Sequence, residues 1–168
     1  MALSMYDISV PAFTRGLINL SGLLDKGAAH AQEQGYDPTQ LVQARLFDDM
    51  LPLAGQIQRA SDTSKGAVAR LAGVAVPSFD DTESTLAELK ARIAKTVDFI
   101  KTIEPAQMDG SETRAIELPT RQGVQTFDGK SYLLGFSLPN FYFHVTTAYD
   151  ILRHRGVSIG KQDYLGGR

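Results

Sequence analysis

The 168-residue chain contains no cysteine and no tryptophan. Without cysteine, disulfides, thiolate catalysis and thiolate metal sites are excluded. No apolar run approaches the ~18 residues that cross a bilayer. The start, MALSMYDISV, also lacks the basic and apolar segments of a secretory signal. The sequence therefore predicts a cytoplasmic protein that does not interact with membranes.

The chain also has no excess of basic residues. The chain carries 17 Lys and Arg against 19 Asp and Glu, a formal net charge of −2, and no helical segment has a basic stripe. Proteins that bind the phosphate backbone normally present a strongly basic face, so we expect no nucleic-acid partner. The length is sufficient for one core, and we predict a single domain over residues 1–168.

Helical periodicity dominates the sequence. Apolar residues recur at spacings of three and four in four segments, which is typical of amphipathic helices that bury one face. Capping residues, glycines and prolines set the predicted bounds, which are Ser9 to Gly35, Asp48 to Ala72, Asp80 to Pro105 and Pro139 to Gly156. A short linking helix is predicted within residues 36–47, and Asp80 and Glu83 have the spacing of a capping box.

Residues 105–137 interrupt this pattern. Short β-like runs lie around Gly123, and Asp128–Gly129 is a common turn dipeptide. We therefore predict a β-hairpin between the third and fourth helices. Four amphipathic helices bury their apolar stripes most simply as an up-and-down bundle. The predicted fold class is all-α, a four-helix bundle with a small β-hairpin excursion.

The fourth helix places an ionisable residue among apolar ones. In FYFHVTTAYDI (141–151), His144 lies near the centre of the apolar face, between Phe141 and Ile151. Burial disfavours an imidazolium, so we expect a neutral imidazole whose N–H is hydrogen-bonded. The residues predicted to form a ligand-binding pocket are His144, Gln56, Ser61, Ser64, Asn140 and Thr147.

Two interpretations of His144 are open. It could anchor a ligand or metal site and act as the catalytic residue, or it could be a packed, hydrogen-bonded side chain with a structural role. Asp150 and His154 form a weaker pair near the helix end, where a histidine also complements the helix dipole. GVSIGK (156–161) is not a phosphate loop, because it is one residue short and lacks Ser or Thr after the lysine.

Three stretches, which cover much of the chain, resemble a known group of proteins. They are MYDISVPAFTRGLINLSGLLDKG (5–27), DDMLPLAGQIQRASDTSK (48–65) and TFDGKSYLLGFSLPNFYFHVTTAYDILRHRGVSIGKQDYLG (126–166). They resemble an uncharacterised domain-of-unknown-function family related to the DinB/YfiT-like helical bundles. The resemblance implies a DinB-like four-helix bundle over nearly the whole chain.

The resemblance also has an implication for metal binding. DinB-like enzymes typically hold a divalent ion through three histidines, one on the second helix and two on the fourth. Only His144 matches this pattern here, because Ala148 stands four residues later and Thr63 stands where a second-helix histidine is expected. The usual three-histidine set is therefore not present. The metal-ligand candidates are His144, Asp49 and Asp62.

Two functions follow as alternatives. The first is binding of a small molecule, or DinB-like metal-dependent catalysis, in a pocket around His144 with Gln56 orienting the substrate. Asp49 or Asp62 would then supply an auxiliary carboxylate. The second is a non-catalytic helical bundle, a homodimer or partner-binding module, in which His144 is structural. The sequence specifies neither a substrate nor a cofactor.

Overall fold

The computed structural model describes residues 3–120 and 122–167, which form seven α-helices and one two-stranded antiparallel sheet. In chain order the elements are α1 (Met5–Gln34), α2 (Thr39–Val42), α3 (Leu53–Ala72), α4 (Leu86–Lys101), β1 (Ala115–Thr120), β2 (Gly123–Asp128), α5 (Gly129–Ser131), α6 (Leu138–His154) and α7 (Lys161–Leu165). The predicted helical fold with a small hairpin is confirmed. The predicted count of four helices is not, since three short helices accompany the four long ones within the described ranges.

Helix α1 begins one turn earlier than predicted. Ser4 is its N-cap, and a capping box joins the Ser4 hydroxyl to the Asp7 amide (3.1 Å) and the Asp7 carboxylate to the Ser4 amide (3.2 Å). The predicted cap, Ser9, is wrong because this box starts the helix first; Ser9 is buried inside α1 and donates to the Met5 carbonyl at 2.7 Å. The predicted end is confirmed, since Gly35 adopts a left-handed conformation with φ of 71°.

Helix α3 begins at Leu53, five residues after the predicted start at Asp48. The reason is Pro52, which has an extended ψ of 171° as the N-cap and which disfavours a helical conformation at Leu51. The chain from Asp48 to Pro52 is therefore not helical. This late start leaves the Leu51 carbonyl outside the helical hydrogen-bond ladder.

Helix α4 begins at Leu86, and its capping box is formed by Thr85 and Glu88. The Glu88 amide donates to the Thr85 hydroxyl at 3.2 Å, and the Thr85 amide donates to the Glu88 carboxylate at 3.0 Å. The predicted box of Asp80 and Glu83 is wrong, because both residues lie in the preceding loop.

The predicted hairpin is present, but the predicted turn dipeptide is not its turn. Strands β1 and β2 pair antiparallel from Ala115 opposite Asp128 to Thr120 opposite Gly123, and Gly123 has a φ of 120° at the turn. Asp128–Gly129 is not a turn; Asp128 caps α5 and accepts from the Ser131 amide at 2.8 Å. A π-helical segment at Tyr132–Ser137 then leads directly into α6, which explains why α6 starts before Pro139.

The long helices bury one shared hydrophobic core. Helix α3 packs against α4 and α6, and α1 packs against the same two helices from the other side. The α1–α6 contact contains Phe13 and Phe141, whose rings meet edge to face with centroids 5.0 Å apart. Gly16 permits this approach, because a Cβ atom there would lie 2.6 Å from the Phe141 ring.

Two hydrogen bonds tie α3 to α6 on one side of the molecule. Gln56 bonds to His144 and Thr63 bonds to Asn140. The earlier residue of α3 therefore pairs with the later residue of α6, so the two helices run antiparallel. None of the helices in the described ranges has the length and apolar character needed to cross a membrane.

Candidate functional site

The buried imidazole of His144 is bonded to the side chain of Gln56. His144 Nδ1 and Gln56 Oε1 are 2.8 Å apart, and both residues are buried between α3 and α6. The Gln56 amide nitrogen donates in turn to the Leu51 carbonyl at 3.0 Å. A chain of two hydrogen bonds thus runs from a backbone carbonyl, through Gln56, to the imidazole.

This chain fixes which imidazole nitrogen carries the proton. The Leu51 carbonyl can only accept, so the NH₂ group of Gln56 must face it and the Gln56 oxygen must face His144. That oxygen can only accept as well, so Nδ1 of His144 is the donor. In the neutral ring, Nε2 is then an unprotonated acceptor.

The ring is neutral at pH 7 because its surroundings penalise the charged form. Burial, together with the smaller effect of the positive charge of Arg59, lowers the pKa of His144 from 6.5 to about 4. The neutral, hydrogen-bonded imidazole expected from the sequence is the form that these surroundings favour.

Nitrogen Nε2 is available to a ligand. Within residues 3–120 and 122–167 it forms no hydrogen bond. It is also not one of the fully buried polar atoms that lack a hydrogen-bond partner. His144 is 9% exposed, so the ring is not completely enclosed. The site therefore offers one oriented hydrogen-bond acceptor at the contact between α3 and α6.

A second polar pair joins α3 to α6 one helical turn from His144, and an arginine lies between the bonded residues of α3 in sequence. Asn140, one turn before His144, donates to the Thr63 hydroxyl at 2.7 Å. Arg59 lies on α3 between Gln56 and Thr63 in sequence, at the three- and four-residue spacings that share a helix face. We use the name polar seam for five residues: Gln56, Arg59, Thr63, Asn140 and His144.

Three of the predicted pocket residues use their hydroxyls in other hydrogen bonds. Ser61 faces α4 and bonds to Thr96 with the two hydroxyl oxygens 2.7 Å apart. Ser64 donates to the carbonyl oxygens of its own helix, and Thr147 donates to the Phe143 carbonyl at 2.7 Å. The hydroxyls of these residues are thus engaged with other partners than His144.

The two carboxylates considered as metal ligands have contacts that do not include His144. Asp49 is exposed in the non-helical segment before α3. Asp62 is paired with Arg92 (2.9 Å), Lys65 (2.8 Å) and Arg59 (3.0 Å). In the part of the chain that the structure describes, no group of three or more His, Asp or Glu residues is placed to hold a metal ion. Asp150 and His154 are exposed.

An ion-pair cluster on the α3–α4 side was missed by the sequence analysis. Its centre is Arg92, whose side chain is 2% exposed and contacts Asp62 (2.9 Å), Asp81 (3.0 Å) and Glu83 (3.0 Å). Burial raises the pKa of Glu83, but hydrogen bonds from Gln58 and Arg92 outweigh it and the net direction is downward. A signal was present, because Arg92 follows Leu89 by three residues on the buried stripe of α4.

A cavity of about 430 Å³ lies next to this cluster, between residues 78–83 and α4. The Phe79 ring borders it, with the Lys95 ammonium 4.2 Å and the Lys65 ammonium 4.9 Å from the ring centroid. Arg92 and Glu83 in its wall are already paired with each other.

Comparison with known proteins gives a family match, similar solved structures and one negative result. The pattern of the family described as "Domain of unknown function (DUF1993)" matches residues 5–165. A crystal structure of a DinB family member protein from Shewanella denitrificans is 41% identical with a TM-score of 0.92, covering 98% of this chain and 93% of that one. No curated protein matches the chain. These matches confirm the resemblance noted from the sequence: the chain belongs to the DUF1993 family of DinB-like domains.

Proposed function

We propose that the protein binds a small molecule at the polar seam, through a hydrogen bond that the ligand donates to Nε2 of His144. One observation carries this proposal. The Leu51 carbonyl, Gln56 and Nδ1 form a fixed chain of hydrogen bonds that leaves the other ring nitrogen as an oriented acceptor without a partner in the described residues.

Binding is favoured over proton abstraction by the acidity of the ring. A general base works best when its pKa lies near the operating pH. The pKa of His144 is about 4, because burial and Arg59 disfavour its charged form, so at pH 7 the ring accepts a hydrogen bond far more readily than it takes a proton. A metal-dependent reaction would need further ligands for the ion.

A fragment screen by ligand-observed NMR tests the proposal. The library consists of neutral hydrogen-bond donors such as phenol, catechol, benzyl alcohol and benzamide. His144→Asn is the test variant, because the asparagine amide still donates to Gln56 but no longer presents Nε2. His154→Asn on the exposed end of the same helix is the matched control.

We expect at least one fragment to bind the wild type and the His154→Asn variant and to lose binding with His144→Asn. If every fragment that binds does so equally in all three proteins, or if none binds, Nε2 is not a ligand acceptor and the proposal fails.

A second candidate is the non-catalytic role, in which the protein forms a homodimer and His144 is structural. It is favoured by Phe143, which is 56% exposed next to His144 on α6, with the two rings edge to face at 5.2 Å. Light scattering after size-exclusion chromatography tests it. A dimer in the wild type that becomes a monomer with Phe143→Ser supports this role, whereas a monomeric wild type removes it.

We also propose the finer architecture expected from the sequence, an up-and-down bundle of α1, α3, α4 and α6. The antiparallel pairing of α3 and α6 and the shared core support it. Cytoplasmic location and a single domain stay predictions from the sequence.

A further inference from the structure

A cavity lies between α6 and the C-terminal helix α7. Its volume is about 270 Å³, just below the roughly 300–1,000 Å³ of sites for drug-sized ligands, so a ligand that fits it is small. Its α6 residues are three and four positions apart and share one face of that helix. None of the lining residues belongs to the polar seam. They are Thr146, Tyr149 and Asp150 of α6 and Lys161, Tyr164 and Leu165 of α7.

Contacts between α7 and α1 hold one wall of this cavity in place. Helix α7 has five residues, none of them buried, and is too short to be stable alone. Asn19 of α1 donates to the Tyr164 carbonyl at 3.0 Å, and Nη2 of Arg15 donates to the Leu165 carbonyl at 2.6 Å. These hydrogen bonds to one long helix give α7 a defined position beside α6.

Two tyrosine rings form the apolar part of the cavity. The rings of Tyr149 and Tyr164 are nearly perpendicular, with an interplanar angle of 77° and centroids 5.9 Å apart. The hydroxyl oxygens of Tyr164 and Thr146 are 3.0 Å apart, and this hydrogen bond orients the Tyr164 ring. The face of an aromatic ring carries partial negative charge and attracts a cation. Two rings that meet at nearly a right angle therefore form a corner that suits an ammonium group.

The same cavity has one carboxylate and one ammonium group that are not paired. Asp150 and Lys161 are both exposed, and within residues 3–120 and 122–167 neither side chain forms an ion pair or a hydrogen bond. They are not paired with each other either, so more than 4.0 Å separates the carboxylate oxygens of Asp150 from Nζ of Lys161. A ligand with one charge would meet one attractive and one repulsive group here. A ligand with both charges satisfies both groups.

We propose that this cavity binds a small zwitterion that carries an ammonium group and a carboxylate on a short alkyl chain. The ammonium group contacts Asp150 and the faces of Tyr149 and Tyr164, and the carboxylate contacts Lys161. This second site shares no residue with the polar seam, so the inference does not depend on the ligand proposed for His144.

Titrations followed by protein NMR at low ionic strength test the inference with three probes of equal chain length. The zwitterion 4-aminobutyrate carries both charges, butylamine only the ammonium group and butyrate only the carboxylate. Low salt limits the screening of exposed charges. The test variants are Asp150→Asn, Lys161→Gln and Tyr149→Leu. The matched controls, Asp98→Asn and Lys101→Gln, remove the same charges from the exposed surface of α4.

We expect 4-aminobutyrate to bind the wild type and both controls about threefold to fivefold more tightly than either singly charged probe, the effect of one exposed charge contact. Asp150→Asn should remove the preference over butyrate, and Lys161→Gln should remove the preference over butylamine. Tyr149→Leu should weaken the two ammonium probes by about twofold to fivefold and leave butyrate unchanged. The NMR signals that shift should belong to residues 146–150 and 161–165.

Equal affinity of the three probes for the wild type would overturn the inference, as would binding of none of them. A preference that persists in the Asp150→Asn or the Lys161→Gln variant would do the same, and circular dichroism checks that these variants keep the fold. An unchanged affinity of the ammonium probes in the Tyr149→Leu variant would overturn the assignment of the ammonium group to the tyrosine corner. His144→Asn should change none of these affinities; a loss there would place the probes at the polar seam and overturn the second site.

Discussion

Lowering the pH should destabilise the protein through His144. In the unfolded chain an ordinary histidine takes up a proton near pH 6.5, whereas in the folded protein burial and Arg59 lower the pKa of His144 to about 4. Between these values the unfolded state binds more protons than the folded state. The free energy of unfolding therefore falls as the pH drops from 6.5 to 4, is unaffected above that window and levels off below it.

The magnitude follows from the size of the pKa depression. Each pKa unit corresponds to about 1.4 kcal/mol, so a change from 6.5 to about 4 gives an upper limit of about 3 kcal/mol. Since His144 is 9% exposed and its ring is not completely enclosed, screening reduces the expected effect to about 2 kcal/mol. This is a large fraction of the stability of a typical domain.

Urea unfolding followed by circular dichroism from pH 7 to pH 4 measures this effect. Carboxylates also titrate at the acidic end, so the wild type is compared with His144→Asn, which keeps a donor to Gln56 but does not titrate. We expect the stability difference between the two proteins to shift against the wild type by about 2 kcal/mol over this range. A difference that stays constant within about 0.5 kcal/mol would refute the assignment of a buried, neutral imidazole.

Three further predictions concern the same contacts and the packing around them. Gln56→Glu should raise the pKa of His144, because a carboxylate next to Nδ1 favours the imidazolium; an NMR pH titration of the ring measures it, and an unchanged or lower pKa would argue against the Gln56 contact. Gly16→Ala should destabilise the protein by about 1–2 kcal/mol by clashing with the Phe141 ring. Gly22→Ala, in the same helix with nothing within 4 Å of its Cβ, should stabilise it by about 0.5–1 kcal/mol; urea unfolding of both variants would contradict the α1–α6 packing if they behaved alike. Arg92→Ala should cost about 2 kcal/mol, because it removes the buried guanidinium and leaves the largely buried Glu83 without its ion pair, and a loss below about 0.5 kcal/mol in thermal unfolding would show that the cluster is not a structural centre.

The sequence predicted the long helices well because their apolar spacing reflects the core directly. Their starting points were harder, since several residues compete to cap a helix. Ser4 and Thr85 form capping boxes that displaced the predicted caps at Ser9 and Asp80. In each case the capping box that forms has both of its reciprocal hydrogen bonds. The spacing of the residues alone does not reveal which box will form.

The residue at which α3 begins also limits how much of the site could be predicted from the sequence. Helical spacing placed Gln56 and His144 near each other, but a helix that began at Asp48 would have bound the Leu51 carbonyl within its own backbone. Because Pro52 delays the helix, that carbonyl accepts from Gln56 instead and fixes the proton on Nδ1. The tautomer depends on this local break and could not be predicted from the helical pattern.

The ion-pair cluster escaped prediction for a different reason. Its members come from α3, from the loop before α4 and from α4 itself, at separations of up to 33 residues from Arg59 to Arg92. No periodic pattern links a loop carboxylate to a helix arginine. The same holds for Arg59, whose ion pair with Asp81 links α3 to the loop before α4.

The protonation of the His144 ring at pH 7 is the most direct test of the proposed site. A long-range ¹H–¹⁵N NMR spectrum distinguishes the two ring nitrogens, with His144→Asn identifying the signals. We predict a neutral ring with the proton on Nδ1 and a bare Nε2. A ring with its proton on Nε2, or one that is doubly protonated, would contradict the hydrogen-bond chain through Gln56 and with it the ligand site.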